Sequence, residues 1–163
     1  MTLDRERPPR GMVRDWLDAR AEAGGVAVVF PETGEVLEWV ALRDEARAAA
    51  CGLAGLGVAA GESVAIVHPN GRDGVVALYA ALYGGFRATM INLAAGADAI
   101  GYALEHSGAR FAFVHEGQRE AIECVAPERL TVVEPGMLGQ GADLPDVAPE
   151  DHALLMYTSG TTG

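Results

Sequence analysis

Lysine is absent from this sequence. All 12 basic residues, from Arg5 to Arg129, are arginines, and 23 acidic residues outnumber them to give a formal net charge of −11. Any reaction step that needs a catalytic lysine therefore cannot be completed by these 163 residues. The acidic balance would repel a phosphate backbone and the arginines are scattered rather than clustered, so we expect an acidic solvated surface and no nucleic-acid partner.

Cysteine and long apolar runs are also scarce. The two cysteines, Cys51 and Cys124, lie far apart, outside any CxxC pattern and without a histidine pair at metal-ligand spacing. We expect both to be small core residues in a reducing compartment, and we expect no metal site. The longest wholly apolar run, Val75 to Tyr83, is far shorter than the roughly 20 residues that cross a bilayer, and the charged N-terminus lacks the pattern of a secretory signal. These absences predict a cytoplasmic protein without a membrane span.

Strand-like and helix-like segments alternate along the chain. Half of the residues are apolar and 21% are charged, which is the composition of a globular domain that can bury a core. Hydrophobic spacing predicts helices over residues 12–21, 42–56, 74–83, 98–107 and 118–124. It also predicts a hairpin and then a series of buried strands, over residues 26–30, 36–40, 63–67, 87–92, 110–115, 130–133 and 153–157. The alternation predicts βαβ units, a mainly parallel sheet and the α/β fold class.

Three segments make up the predicted organisation. Residues 1–133 form an α/β unit, and residues 151–163 form a last strand with a loop. Residues 134–150 between them hold prolines, glycines and acidic residues without periodicity, which is typical of a surface connector. We therefore expect one domain, or a portion of one, rather than several.

The loop after the last strand has a composition suited to phosphate binding. It contains two glycines and four hydroxyl residues: Thr158, Ser159, Gly160, Thr161, Thr162 and Gly163. Glycines let successive backbone N–H groups turn toward one ligand, and hydroxyls add uncharged donors, so the loop can cradle a polyphosphate. A plain polar turn after a core strand has a similar composition. The loop is not a Walker-type site, which needs a lysine, and the glycines from Gly55 to Gly61 follow a helix instead of the strand that a dinucleotide fingerprint requires.

A family resemblance begins at this loop. Residues 157–163, Tyr-Thr-Ser-Gly-Thr-Thr-Gly, resemble the phosphate-loop signature of the adenylate-forming superfamily, which comprises acyl-CoA synthetases, aryl-acid ligases, luciferases and the adenylation domains of peptide synthetases. Four earlier blocks resemble the same family in the same order, over residues 37–42, 56–70, 80–88 and 104–110. The resemblance thus covers nearly the whole chain from about Trp16 onward. Trp39, Val40 and Tyr83 depart from the family pattern at positions without a chemical role, so they bear on subfamily and not on activity. Leu93 replaces a proline that is common after the strand, which loosens that turn.

The resemblance implies the first part of the large N-terminal domain of an ATP-dependent, AMP-forming carboxylate ligase, in the first place an acyl-CoA synthetase. In this family a carboxylate attacks the α-phosphate of Mg·ATP to give acyl-AMP and pyrophosphate, and a thiol, commonly coenzyme A, then takes the acyl group. The implied cofactors are ATP, Mg²⁺ and coenzyme A, and the implied ligands of the ATP phosphates are Thr158, Ser159, Gly160, Thr161, Thr162 and Gly163.

The resemblance also implies what these residues do not contain. The family's magnesium-binding glutamate, its adenine and acyl pockets, its C-terminal domain and its catalytic lysine come later in the sequence than the phosphate loop. We therefore expect no catalytic residue within residues 1–163, and we expect this portion to be inactive by itself.

Two alternatives stay open at this point. An adenylation domain that loads a carrier protein would share every block described above. A non-enzymatic flavodoxin-like binding domain has the same alternating pattern, but it predicts acidic residues at the ends of the early strands, where the sequence has Phe30, His68 and Asn92. His68 and His115 follow strands and could line a cleft, and His106 is placed to stabilise the end of a helix.

Overall fold

The computed structural model describes residues 11–134 and 142–157. The helices in these ranges are α1 (Val13–Ala23), α2 (Trp39–Gly55), α3 (Arg72–Gly84), α4 (Ala97–Ser107) and α5 (Arg119–Glu123), with a short 3-10 helix at Glu116–Gln118. The strands are β1 (Val26–Phe30), β2 (Glu35–Glu38), β3 (Ser63–Val67), β4 (Arg87–Met90), β5 (Phe111–Val114), β6 (Thr131–Val133) and β7 (Leu154–Met156). Among them, no helix is long and apolar enough to cross a membrane.

The strands form two sheets. β1 and β2 make a separate antiparallel hairpin, whose turn contains Gly34 at a positive φ of 73°. The remaining strands form a five-stranded sheet in the order β6-β5-β3-β4-β7, and every neighbouring pair is parallel. The predicted α/β class with a mainly parallel sheet is therefore confirmed.

Helices cover both faces of the large sheet. Successive side chains of a strand point to opposite faces, so Val64 and Ile66 of β3 pack with α2 and α3, and Ala65 and Val67 pack with α4 and α5. All four side chains are fully buried. An uninterrupted apolar strand is what a central parallel strand requires, because neither of its faces meets water.

The connector packs against the helices on one face of the sheet. Residues 142–150 contain no helix or strand, and residues 135–141 lie outside the described part of the chain. Arg14 of α1 donates from Nε to the carbonyl of Tyr83 and from Nη2 to the carbonyl of Pro145, at 2.8 and 3.2 Å. Val147 lies against Gly85, where a Cβ atom would come within 2.5 Å of the valine Cγ1. The connector is thus docked on α1 and on the end of α3.

The predicted second strand was wrong at its end. Trp39 and Val40 belong to the first turn of α2 and not to the strand, which ends at Glu38. The indole of Trp39 lies under the guanidinium of Arg20, 4.9 Å from ring centroid to Cζ, and packs against the core. This tertiary contact outweighs the preference of β-branched and aromatic residues for strands.

Two predictions of burial were also wrong. Residues 153–157 were expected to form a buried strand, but β7 lies at the edge of the sheet that the described residues form, and Leu154 and Met156 are 48% and 65% exposed there. Cys124 was expected in the core and is exposed, because it follows the short helix α5 at the periphery, whereas Cys51 is half-buried.

β4 ends two residues earlier than predicted, and the side chain of Asn92 instead accepts a hydrogen bond from the N–H of Ala94 in the turn that follows.

Candidate functional site

The carboxyl ends of the five parallel strands lie along one edge of the large sheet. The residues that directly follow β3, β4, β5 and β7 at this edge are His68, Ile91, His115 and Tyr157. In open α/β sheets, ligands bind in crevices outside this edge. The carboxyl edge is therefore the candidate site, and two parts of it have distinct chemistry.

The predicted phosphate loop starts at the first part. β7 pairs with β4 in the register Ala88 with Leu154, Thr89 with Leu155 and Met90 with Met156, so its carboxyl end lies beside that of β4. Tyr157 follows directly and is the last described residue. The predicted phosphate ligands Thr158, Ser159, Gly160, Thr161, Thr162 and Gly163 lie outside the described residues.

An aromatic cluster holds the side chain of Tyr157. Its hydroxyl lies 3.0 Å from Nδ1 of His106, in the last turn of α4. The imidazole of His106 stacks on the ring of Tyr102, one turn earlier on the same helix, with centroids 5.3 Å apart. Tyr157 meets both rings edge to face, at 6.4 Å from Tyr102 and 5.8 Å from His106. The residue before the predicted phosphate loop is thus attached to α4.

The hydroxyl of Tyr157 is suited to donate a hydrogen bond. Burial raises the pKa of this phenol, Tyr102 adds to the rise, and Arg87 opposes it with a smaller effect. The phenol is therefore protonated at neutral pH, and its O–H can donate to Nδ1 of His106 when that nitrogen carries no proton. A cavity of about 320 Å³ opens beside Tyr157, between the turn after β4 and the beginning of α4, and its lining includes Asn92 and Ile100.

The second part of the edge lies between β3 and β5. The chain leaves β3 toward β4 on one side and leaves β5 toward β6 on the other, so this crevice is the topological switch point of the sheet. His68 and His115 line a cavity of about 460 Å³ there, with their ring centroids 5.7 Å apart. Burial lowers the pKa of His68, His115 lowers it further, and Asp73 opposes this. The expectation that these histidines line a cleft is confirmed, and Asp73 lines the same cavity.

The charges of this second cavity leave little capacity for a phosphate. Arg72 lines this cavity and is paired with Glu35 at 2.9 Å and with Glu45 at 2.5 Å. Its guanidinium therefore already has carboxylate partners. Within residues 11–134 and 142–157, no three His, Cys, Asp or Glu side chains are arranged to hold a metal ion. Of the two parts of the edge, the one at Tyr157 leads directly to the uncharged donors of the loop.

Residues 16–163 match the family model described as AMP-binding enzyme, and the chain therefore belongs to this family. The predicted membership of the adenylate-forming superfamily is confirmed, and the match favours it over the flavodoxin-like alternative.

Two curated relatives show what share of a relative's length this chain covers. The sulfoacetate–CoA ligase of Cupriavidus necator is 31% identical over 150 residues, which cover 83% of this chain and 30% of that protein. A feruloyl-CoA synthase of an Amycolatopsis species is 31% identical over 151 residues, which cover 91% of this chain and 31% of that protein. The chain thus spans about 30% of the length of these relatives.

Solved structures confirm the fold. The N-terminal domain of FACL13 from Mycobacterium tuberculosis superposes with a TM-score of 0.79 at 25% identity, covering 92% of this chain and 42% of that one. A long-chain-fatty-acid-CoA ligase from Archaeoglobus fulgidus superposes with a TM-score of 0.78 at 29% identity, covering 95% of this chain and 36% of that one. The prediction of the first part of an N-terminal adenylate-forming domain is therefore confirmed.

Tyr102 and its contact with His106 were not predicted from the sequence. The two residues are four positions apart, the spacing that places side chains on one face of a helix, and this signal could have paired them. The contact of His106 with Tyr157 spans 51 positions and has no such local signal.

Proposed function

We propose that this chain is the first portion of an ATP-dependent, AMP-forming carboxylate ligase, and that residues 158–163 bind the phosphates of ATP. The observation that carries the proposal is the location of Tyr157. Tyr157 is the first residue of the segment that resembles the family's phosphate loop, and it directly follows β7 at the carboxyl edge of the parallel sheet. This edge is where α/β proteins bind nucleotides, which supports the proposal.

The chemistry of the loop fits a pyrophosphate leaving group. Negative charge grows on the β-phosphate as the bond between the α-phosphorus and the bridging oxygen breaks. Donors already arranged around that charge stabilise the transition state more than the ground state. We assign this role to the hydroxyls of Ser159, Thr161 and Thr162 and to the N–H groups of Gly160 and Gly163.

Two further components belong to the proposal. Mg²⁺ would neutralise part of the charge on the ATP phosphates, and by the family resemblance its glutamate ligand comes later in the sequence than residue 163. Coenzyme A is proposed as the acyl acceptor because the curated relatives named above are a CoA ligase and a CoA synthase. Their names differ in the acid, sulfoacetate for one and a feruloyl group for the other, so we propose a carboxylic acid substrate without restricting it to fatty acids.

Carboxylate-dependent exchange of pyrophosphate into ATP tests this function. The 163-residue chain and the protein extended by its downstream coding sequence would be assayed side by side with short, long and aryl acids. We expect exchange from the extended protein alone, and the acid that supports it identifies the substrate class. Absence of exchange from both proteins would contradict the proposal and favour a binding domain. Transfer to a carrier protein but not to coenzyme A would replace the proposed acceptor.

Nucleotide binding gives a second test that needs no turnover. The 163-residue chain lacks lysine and, by family resemblance, the adenine site, so isothermal titration with ATP is expected to give an affinity weaker than micromolar. Micromolar binding by this chain would contradict the assignment of the adenine site to a later part of the protein.

A further inference from the structure

The backbone of β7 has limited support of its own. It is three residues long, and in the described part of the chain it has one neighbouring strand, β4. Among the described residues, its side chains on one face, Leu154 and Met156, are largely exposed, so burial within this part of the protein fixes the strand less than the central strands. A side-chain anchor at its end therefore bears on where the chain enters the predicted phosphate loop.

Tyr157 provides that anchor. Its ring packs against the core cluster on the α4 side of the sheet, and its hydroxyl lies 3.0 Å from Nδ1 of His106. The anchor acts on the residue immediately before Thr158, so it restrains the position from which the chain enters the predicted loop.

The helix end that receives the anchor is itself well fixed. α4 stops at Gly108 in the left-handed conformation, and the hydroxyl of Ser107 donates to the carbonyl of Leu104 at 3.0 Å. Arg87 of β4 donates from Nη2 to the carbonyl of Ser107 at 3.1 Å, which ties the same turn to the strand beside β7. Stacking on Tyr102 restricts rotation of the His106 imidazole, although Tyr102 itself is 62% exposed and contributes little to the core.

We propose that His106, oriented by Tyr102, is a positioning residue that sets the start of the phosphate loop through its hydrogen bond to Tyr157. This inference rests on the proposed function. Preorganised donors lose part of their effect when they are displaced by about 1 Å, because their stabilisation depends on distance and direction to the developing charge. Loss of the bond should therefore weaken the use of ATP and leave binding of the carboxylic acid unchanged.

The test uses the extended, exchange-active protein with conservative variants. Tyr157→Phe removes only the hydroxyl, and His106→Leu removes the imidazole. Each is expected to raise the KM for MgATP in pyrophosphate exchange by about three- to tenfold, the fold-change that corresponds to one hydrogen bond. The KM for the acid should stay the same in all variants. His106→Gln should raise the KM for MgATP less than His106→Leu does. The double variant Tyr157→Phe/His106→Leu should have a KM for MgATP no higher than the single variants, because both substitutions remove the same hydrogen bond. Tyr79→Phe, on α3 at the opposite face of the sheet, is the matched control.

A spectroscopic readout separates this inference from the function on which it rests. The ¹⁵N resonance of His106 Nδ1 should shift on Tyr157→Phe and remain in place in the Tyr79→Phe control. Suppose that the wild-type protein exchanges pyrophosphate and that Tyr157→Phe changes neither the KM for MgATP nor the His106 resonance. This result would overturn the inference and leave the proposed function intact. A wild-type protein without exchange would overturn both.

Discussion

Arg87 donates from Nε and Nη2 to the hydroxyl oxygen of Ser63, at 2.9 and 2.7 Å. The two residues are register partners at the first positions of the neighbouring strands β3 and β4. Ser63 is 2% exposed and also accepts a hydrogen bond from the hydroxyl of Thr89 at 3.3 Å. One buried serine hydroxyl thus accepts several hydrogen bonds where the two strands begin.

Removal of this serine hydroxyl should destabilise the fold. Ser63→Ala leaves the Arg87 guanidinium and the Thr89 hydroxyl without their shared acceptor, which costs about 1–3 kcal/mol of unfolding free energy. Urea denaturation of the 163-residue chain measures the change. Thr33→Ala in the exposed β1–β2 turn is the control and should shift the midpoint much less. Equal midpoints for the two variants would contradict the role of Ser63.

Gly85 is expected to tolerate no side chain, for two separable reasons. Its φ is +74°, which costs a residue with a Cβ atom about 1–2 kcal/mol, and the new Cβ would lie 2.5 Å from Cγ1 of Val147. Gly34 has a similar φ of +73° but no atom within 4 Å of its Cβ position. Thermal unfolding should therefore show a larger loss for Gly85→Ala than for Gly34→Ala. Val147→Ala removes both Cγ atoms and should reduce the difference; an unchanged difference in the Val147→Ala background would contradict the clash with Val147.

Acid should remove the stabilising effect of one ion pair. The guanidinium of Arg110 hydrogen-bonds to Glu62 and lowers its carboxyl pKa, against an opposing effect of burial. Because the folded-state pKa is below the unfolded value, this contribution is present above the ordinary glutamate range and is lost as pH falls through the folded pKa. The difference in unfolding free energy between wild type and Glu62→Gln should shrink as the pH falls from about 5 to about 3. A constant difference over this range would contradict the pairing, and Glu32→Gln in the β1–β2 turn is the control.

Loss of one hydroxyl in the phosphate loop should slow exchange. Thr161→Val keeps the shape of the side chain and removes its donor to the developing phosphate charge. A hydrogen bond to a charged group contributes about 1.5–3 kcal/mol, so the rate constant of the extended protein should fall roughly ten- to hundredfold. Pyrophosphate exchange at saturating ATP measures this effect, with Thr131→Val on β6 as the matched control. An unchanged rate would remove Thr161 from the proposed set of donors.

Local pattern predicted most elements because side-chain direction repeats with a short period. The strand predicted over residues 63–67 has those bounds in the structure, and the helix predicted over residues 98–107 begins one residue earlier. The error at Trp39 and Val40 arose where a contact with Arg20 outweighed local preference. The exposure of β7 could not be predicted, since an apolar run has the same appearance in a central strand and in an edge strand whose face is uncovered.

The sequence by itself determined the α/β class, the family and the place of the glycine- and hydroxyl-rich loop after the last strand, because each of these depends on residues close together in order. Only the tertiary structure decided that β7 lies beside β4 rather than β6, that His68 meets His115, and that His106 holds Tyr157. Those relationships join residues far apart in the chain. They follow from how strands pair and how helices cover the two faces of the sheet. Hydrophobic periodicity does not indicate which distant element a strand or helix will contact.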